Sequence, residues 1–318
     1  METLSICPSC LNSTIASAFT TEDYYTRSEG IFSVWTCETC RCYFLNPRPS
    51  SAELAHYYPT DYYSFQGSSG GSRRLSQRIL RNLKPFRAWN AVWERVNKGN
   101  TWSRTAPRNA QGALLDVGCG GGAFLSFLRE RNPALRLVGC DPFGPADAPS
   151  LKARGIEYRC TAVEECGFKE REFDVVTMNH VFEHHPAPAA LLDELFRILK
   201  PGGALYVGVP NTDGAGRRLF GRFWFGWDAP RHLVDFGMGS LSGLLARGGF
   251  RVMIVRHKSN AGHLLASVSY RVFGKTPAPS WWNRDLTQDA LFAVVNPIAG
   301  LTNLLSVGDN IEVACLRP

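Results

Sequence analysis

The sequence predicts an α/β protein in which a doubly wound sheet follows a small cysteine-bearing module. Three observations carry this reading. From Ala113 onward, apolar runs of strand length alternate with helix-like stretches, the rhythm of a mostly parallel sheet with helices on both faces. The first of those runs ends in a glycine-rich turn, LLDVGCGGG. Near the N-terminus stand two C-x-x-C pairs, CPSC and CETC.

The cysteine module occupies residues 1–46. Its pairs, Cys7 with Cys10 and Cys37 with Cys40, are separated by 26 residues. Each knuckle turns tightly enough to present two thiolates, and two knuckles can surround one zinc ion tetrahedrally. Four cysteine ligands leave no open position for chemistry, so the expected zinc is structural. Cys42 is close enough to serve as a spare ligand, and IFSVWTC before the second knuckle alternates like a strand.

Residues 47–110 form the second expected unit, an aromatic lid and a basic helix. NPRPSSAELAHYYPTDYYSF contains a turn-forming proline pair, a short helix in SSAELAHYY, and Tyr57, Tyr58, Tyr62 and Tyr63. Those tyrosines suit either a lid that excludes water or packing between the module and the core. GSSGGS at 67–72 breaks the chain. Residues 73–108 then carry ten Lys/Arg against the single acid Glu94, whereas the whole chain has a formal charge of only +7. Leu75, Ile79, Leu83, Phe86, Trp89, Trp93 and Val96 recur at helical spacing through that stretch. A basic amphipathic helix of this kind either lies on an anionic membrane or packs on the next domain with a solvated face.

Residues 111–318 hold the expected sheet, with a helical cap inserted at about 261–308. ALLDVG, LRLVGCD, IEYRC, FDVVTMN, ALYVGVP, RVMIVRH and the final IEVACLR are the strands. Hydrophobic residues at 44% and charged residues at 20% exclude a disordered or coiled-coil chain. The charge-free run 290–308 is interrupted by Asn296, Pro297, Gly300, Thr302 and Asn303, which argues against a membrane span. METLSICPSC has neither a basic n-region nor an apolar h-region, and six cysteines are scattered singly. Both point to a cytoplasmic, reducing compartment.

The glycine turn is ambiguous alone, because Gly118, Gly120 and Ala123 also satisfy a dinucleotide fingerprint. Asp116, just before the glycines, separates the readings. A carboxylate there repels a pyrophosphate but suits a cationic cofactor. LLDVGCGGG, GCDP, FDVVTMNHVFEHHPAP and LKPGGALYVGVPN follow in order over about 100 residues. Together they resemble the class I S-adenosylmethionine (SAM)-dependent methyltransferases.

That resemblance implies a Rossmann-like seven-stranded sheet of order 3-2-1-4-5-7-6 with its last strand antiparallel. It implies that Gly118, Gly120 and Gly122 pass beneath the methionine part of SAM, with Asp116 toward its amino end. Asp141 would take the ribose hydroxyls, with Pro142 and Phe143 near the adenine. Thr161, Ala162 and Val163 would flank the ring's other side, and Asn179 and His180 would line the floor beneath the sulfonium. His180, Glu183 and His184 also resemble the E-x-x-E-H metal site of ubiquinone-pathway O-methyltransferases. His180 replaces the first glutamate, which favours a softer metal or none over magnesium.

FGWDAPRHLVDF and the wider pattern around it resemble a subgroup acting on sugars, cell-surface glycans and natural products, in which a four-cysteine zinc segment also occurs. A small-molecule or glycan acceptor follows from that resemblance, with a hydroxyl as the methyl acceptor. His232 is the first candidate for the base, then His184, with Glu183 beside it. An apolar cap would also permit peripheral contact with the inner face of a membrane. The alternatives are an RNA methyltransferase using the zinc module and basic helix, and a C-methyltransferase on a nucleotide sugar. Nucleic acid is the weaker partner, because the basic residues alternate with a regular apolar stripe and no RNA-binding signature appears.

Overall fold

The alternation in IFSVWTC builds a first, small sheet. β1 (Ile15–Glu22) and β2 (Ile31–Cys37) pair antiparallel, and β3 (Tyr43–Leu45) adds to β2. Phe32 and Val34 fall on the buried side of β2, as a period of two requires, and Cys37 at its end is buried out of that phase. A capping box starts α1 (Ser51–Leu54): the Glu53 N–H donates to the Ser50 hydroxyl and the Ser50 N–H to the Glu53 carboxylate. The computed structural model describes residues 1–58, 112–145, 148–275 and 286–318. The glycine-serine break, the basic stretch 73–108, Tyr62, Tyr63, Trp281 and Trp282 lie outside the described residues.

The large sheet begins with β4 (Ala113–Val117), buried along its whole length. Then come α2 (Ala123–Arg131), β5 (Arg136–Cys140), the single turn α3 (Pro149–Lys152), β6 (Glu157–Arg159) and β7 (Phe173–Asn179). α4 (Pro188–Ile198) starts on a proline and buries Leu191, Leu192, Leu195 and Ile198, one stripe facing the sheet. β8 (Leu199–Pro210) and α5 (Ala215–Phe220) follow. The Pro-Gly-Gly of LKPGGALYVGVPN sits inside β8. Leu199 pairs with Phe173 and Ala204 with Val175, so the intervening residues loop out and Gly202 takes φ +75°.

β9 (Val234–Asp235) crosses to the small sheet and pairs with β3, Phe44 opposite Val234. The chain returns through α6 (Met238–Arg247), β10 (Arg251–Lys258), α7 (Ala261–Phe273), α8 (Leu286–Leu304) and β11 (Asn310–Leu316). β11 inserts antiparallel between β8 and β10. The order is β10-β11-β8-β7-β4-β5-β6, which is 3-2-1-4-5-7-6 in the order of the large sheet's own strands. β10 lies at the edge, so Met253, Ile254 and Val255 of its apolar run are exposed. Among the described residues no helix is long and apolar enough to cross a membrane.

Two polar latches hold the small sheet to the large one. Arg48, from the N-P-R-P stretch, donates to the Pro186 carbonyl oxygen at 2.8 Å and to Glu2 at 2.6 Å. Arg231 has no solvent exposure and lies between two carboxylates. Asp23, in the β1–β2 loop, accepts from Nη2 at 2.8 Å and Nη1 at 3.1 Å. Asp228, just before β9, accepts from Nη2 at 2.6 Å and Nε at 3.0 Å. Burial opposes ionisation of Asp23, but the guanidinium outweighs it and holds the carboxyl far below its ordinary range.

Removing one partner from a buried ion pair strands the other charge and costs about 3–5 kcal/mol. Asp23→Ala is therefore expected to lower the unfolding free energy extrapolated from urea titration by that amount, and the midpoint with it. An exposed control, Glu130→Ala in the Arg154 pair, is expected to leave the midpoint nearly unchanged.

Candidate active site

A cleft of about 880 Å³ opens at the carboxyl ends of β4, β5 and β7. The glycine turn after β4 forms its floor. Gly118 has φ +69°, and a Cβ there would stand 2.2 Å from Val181, so no other residue fits without displacing that wall. The Gly120 N–H donates to Asp141 Oδ2 at 2.8 Å, and the Phe143 N–H to Oδ1 at 2.9 Å. The acid that ends β5 is thereby locked onto the turn. Burial raises its carboxyl above the ordinary range, and those N–H groups partly counter it.

Asp116 lies 6% exposed beneath the turn and accepts from Thr177 Oγ1 at 2.6 Å. Burial lifts its carboxyl to about 7; the Thr177 bond pulls it down and Asp141 pushes it up. Asp116, Gly118, Gly120, Asp141, Pro142, Phe143, Thr161, Ala162, Asn179, His180 and His184 all line the cleft. Val163 does not: it is buried in the core at the start of a 3-10 turn. Gly122 caps α2 at φ +71° and packs toward Leu151, while Gly121 lines the cleft instead. The sequence reading passed over Cys119, Gly121, Ser51 and Leu54, which also form the wall. For Ser51 and Leu54, more than fifty residues upstream of the glycine turn, no local signal exists.

A second, inner cavity of about 140 Å³ adjoins the cleft. His180, Trp224, Phe225, Asp228, His232, His263, Asp309 and Asn310 are among its walls. The two imidazoles named from the sequence are therefore separated: His184 faces the cleft and His232 the inner cavity. Their rings meet edge to face with centroids 4.6 Å apart. Glu183 lines neither cavity and is fully buried between them, 3.1 Å from His180 Nδ1 and 3.9 Å from His232 Nε2.

The charges in this cluster are set by one another. Burial alone would strip the proton from His232, but Asp235, Glu183 and Asp228 raise it to about 9, so it is an imidazolium at neutral pH. Burial and that neighbouring charge hold His184 neutral, lowered to about 4. Burial opposes the Glu183 carboxylate, yet His180, His184 and His232 bring it down to about 2. His184 Nδ1 donates to the Arg231 carbonyl oxygen at 3.0 Å and lies 2.8 Å from Tyr58 Oη. Tyr58 in turn stacks on Phe143, centroids 4.7 Å apart.

At the small sheet, Cys10 and Cys37 place their Sγ atoms 3.5 Å apart, and Cys7 and Cys40 3.7 Å apart. All four sulfurs lie within 4.8 Å of one another. A tetrahedral Zn–S shell of ~2.3 Å bonds needs sulfurs about 3.8 Å apart, so the donor set fits zinc. Cys42 Sγ stands 3.4 Å from both Cys7 and Cys40.

A parallel sheet of this order with one antiparallel strand, a carboxylate before the glycine turn and an acid after the next strand define a class I SAM-dependent methyltransferase. A model of the methyltransferase domain family matches residues 93–254, about half of the chain, and the chain belongs to that family. It is 37% identical over 107 residues to a ubiquinone biosynthesis O-methyltransferase of Hahella chejuensis, covering 31% of this chain and 44% of that one. A protein of the same description from Pseudomonas fluorescens is 32% identical over 138 residues, 42% of this chain and 54% of that one. The chain thus spans about half the length of the curated relatives it matches. In fold it is similar to the geranyl diphosphate C-methyltransferase of Streptomyces coelicolor A3(2). The TM-score is 0.50 at 14% identity, covering 85% of this chain and 100% of that one.

Proposed function

We propose that this protein transfers the methyl group of SAM to a hydroxyl of a small-molecule or glycan acceptor. The observation that carries the reading is the pair of adjoining cavities with His180 in their shared wall. The cleft takes SAM, with Asp116 toward its amino group, Asp141 toward the ribose and Phe143 and Tyr58 toward the adenine. The inner cavity takes the acceptor. Its aromatic Phe225 and Trp224 beside Asp228, Asp309, Asn310 and imidazoles suit a hydroxylated ring, which needs both an apolar face and hydrogen-bonding edges. Its carboxylates disfavour a phosphate group inside it. A sugar, free or lipid-linked, or a natural-product intermediate meets these demands.

Alignment of acceptor and methyl supplies much of the rate in such a displacement, since SAM brings its own leaving group. His232 and Glu183 form a charged pair behind the reacting atoms, with neutral His184 beside them. The four cysteines Cys7, Cys10, Cys37 and Cys40 hold one structural zinc. Val268, Val272 and Phe273 on α7 and Val294, Ile298 and Leu301 on α8 are exposed. They support peripheral contact at the inner face of a membrane, where a lipid-linked glycan would present its sugar.

The direct test offers methyl-labelled SAM and the purified chain to separated glycan, lipid, small-molecule and RNA pools. Label is expected in a glycan, lipid or small-molecule pool. Label confined to RNA overturns the reading.

Cofactor binding is expected to depend on pH through Asp116. The cationic cofactor favours the carboxylate, and that group takes a proton below about 7. Calorimetric SAM affinity should therefore weaken as pH falls from 8 to 6, approaching ~tenfold per unit below the pKa. Asp116→Asn should bind more weakly at pH 8 and lose this dependence.

Metal analysis of the purified chain is expected to give one zinc. Cys37→Ser should lose it and destabilise the small sheet, because metal affinity is folding energy in such modules. A folded, metal-free wild type would remove zinc from the account.

A further inference from the structure

An acceptor hydroxyl must lose its proton as the methyl arrives, and its oxygen then lies where the inner cavity meets the cleft, so a base is sought at that junction. Among the described residues the cleft and the inner cavity share one lining side chain, His180. His184 lines only the cleft, and His232 only the inner cavity. The latter is also the imidazole that three carboxylates keep protonated, and its Nδ1 donates to the Gly226 carbonyl oxygen at 2.7 Å.

His180 is held in an unusual way. It follows the last residue of β7 with φ +55°, a left-handed conformation that costs a non-glycine residue about 1–3 kcal/mol. Its N–H donates to the Gly208 carbonyl oxygen at 2.8 Å, which ties this backbone to β8. The side chain is one-third exposed, and its Nδ1 lies 3.1 Å from Glu183 Oε1, on a carboxylate with no exposure at all. Glu183 Oε2 is buried with no hydrogen-bond partner. Both imidazole contacts of this carboxylate, to His180 and to His232, are made by Oε1. A buried carboxylate at Nδ1 selects the Nδ1–H tautomer, leaves Nε2 bare, and stabilises the imidazolium once it forms.

We propose that His180 is the catalytic base of this site and that Glu183 is its positioning residue. The assignment rests on the methyl-transfer reading above. In the step, an oxygen lone pair of the acceptor forms the new O–C bond to the methyl carbon. The C–S bond breaks with its electron pair staying on sulfur, which yields neutral S-adenosylhomocysteine. The hydroxyl proton passes to His180 Nε2, and the resulting imidazolium is paired with Glu183 until solvent in the cleft removes the proton. His232, already charged, is left to balance the buried carboxylates.

The first test needs no acceptor. In the full chain labelled with 15N-histidine, long-range proton–nitrogen spectra report each ring's tautomer, and His180→Asn identifies the His180 signals. Asparagine tolerates the left-handed backbone, so this variant keeps the turn. Expected, for the neutral form of the His180 ring, is a proton on Nδ1, with Glu183→Gln abolishing that preference. A ring protonated at Nε2, or one indifferent to Glu183→Gln, overturns the proposal. The second test uses the pool that accepts label. His180→Asn should lower kcat by ~10²-fold or more while calorimetric SAM affinity stays near that of wild type. Glu183→Gln should lower kcat with little change in KM. Near-normal turnover by His180→Asn, with His232→Ala inactive, overturns the assignment in favour of His232. Failure of the wild type to label any hydroxyl pool would refute the methyl-transfer reading instead, and the tautomer result would still decide whether the dyad exists.

Discussion

A single guanidinium organises the side of this molecule around the inner cavity. Arg231 is removed from water, so its charge is fully compensated only while Asp23 and Asp228 both face it. The fork of donors on arginine suits two carboxylates at once, which a lysine could not satisfy. Asp23 belongs to the β1–β2 loop and Asp228 to the segment before β9, so the pairing ties the cysteine-bearing sheet to the loop that walls the inner cavity. The consequences spread outward. The Arg231 carbonyl orients His184, Nη1 reaches the Tyr57 carbonyl oxygen, and the neighbouring Tyr58 hydroxyl meets the same imidazole. The segment that follows the small sheet, with Ser51, Leu54 and Tyr58, is thus part of the cleft wall.

The two cavities obey different construction rules. The cleft is assembled from the ends of adjacent parallel strands, where glycine turns and acids are placed by local chain geometry. The inner cavity is assembled from segments far apart in sequence: the turn after β7, the end of β8, the loop at 224–232, α7 and the start of β11. Its electrostatics follow from that convergence. Glu183, Asp228 and Asp235 crowd around His232 and keep it charged, while His184, one ring away, is forced neutral. Neither state belongs to the residue type; each belongs to the company it keeps.

Much of the architecture was legible in advance. The βα rhythm from Ala113, the glycine turn, Asp116 and Asp141 are local patterns. Strand order then follows from the family resemblance they support, and the sheet adopts it. IFSVWTC reads as a strand because its alternation survives burial on one face. RVMIVRH is equally legible as a strand, but not as an edge strand, because its pairing on one side only is a property of the sheet. Val163 illustrates the limit. It sits within a short run whose neighbours Thr161 and Ala162 face the cleft, but the 3-10 turn rotates it into the core.

The sequence alone determined the class of sheet, the place of the glycine turn and the pairing of cysteines into two knuckles. Each of these depends on residues close together in the chain, where backbone geometry leaves few choices. The tertiary structure decided which histidine reaches both cavities, which one carries charge, and that Asp23 and Ser51 belong to the neighbourhood of the site at all. Those outcomes depend on desolvation and on partners more than a hundred residues apart, such as Asp23 and Arg231. No periodicity or spacing encodes them, because they come into being only when the two sheets close on each other and exclude water from the charges between them.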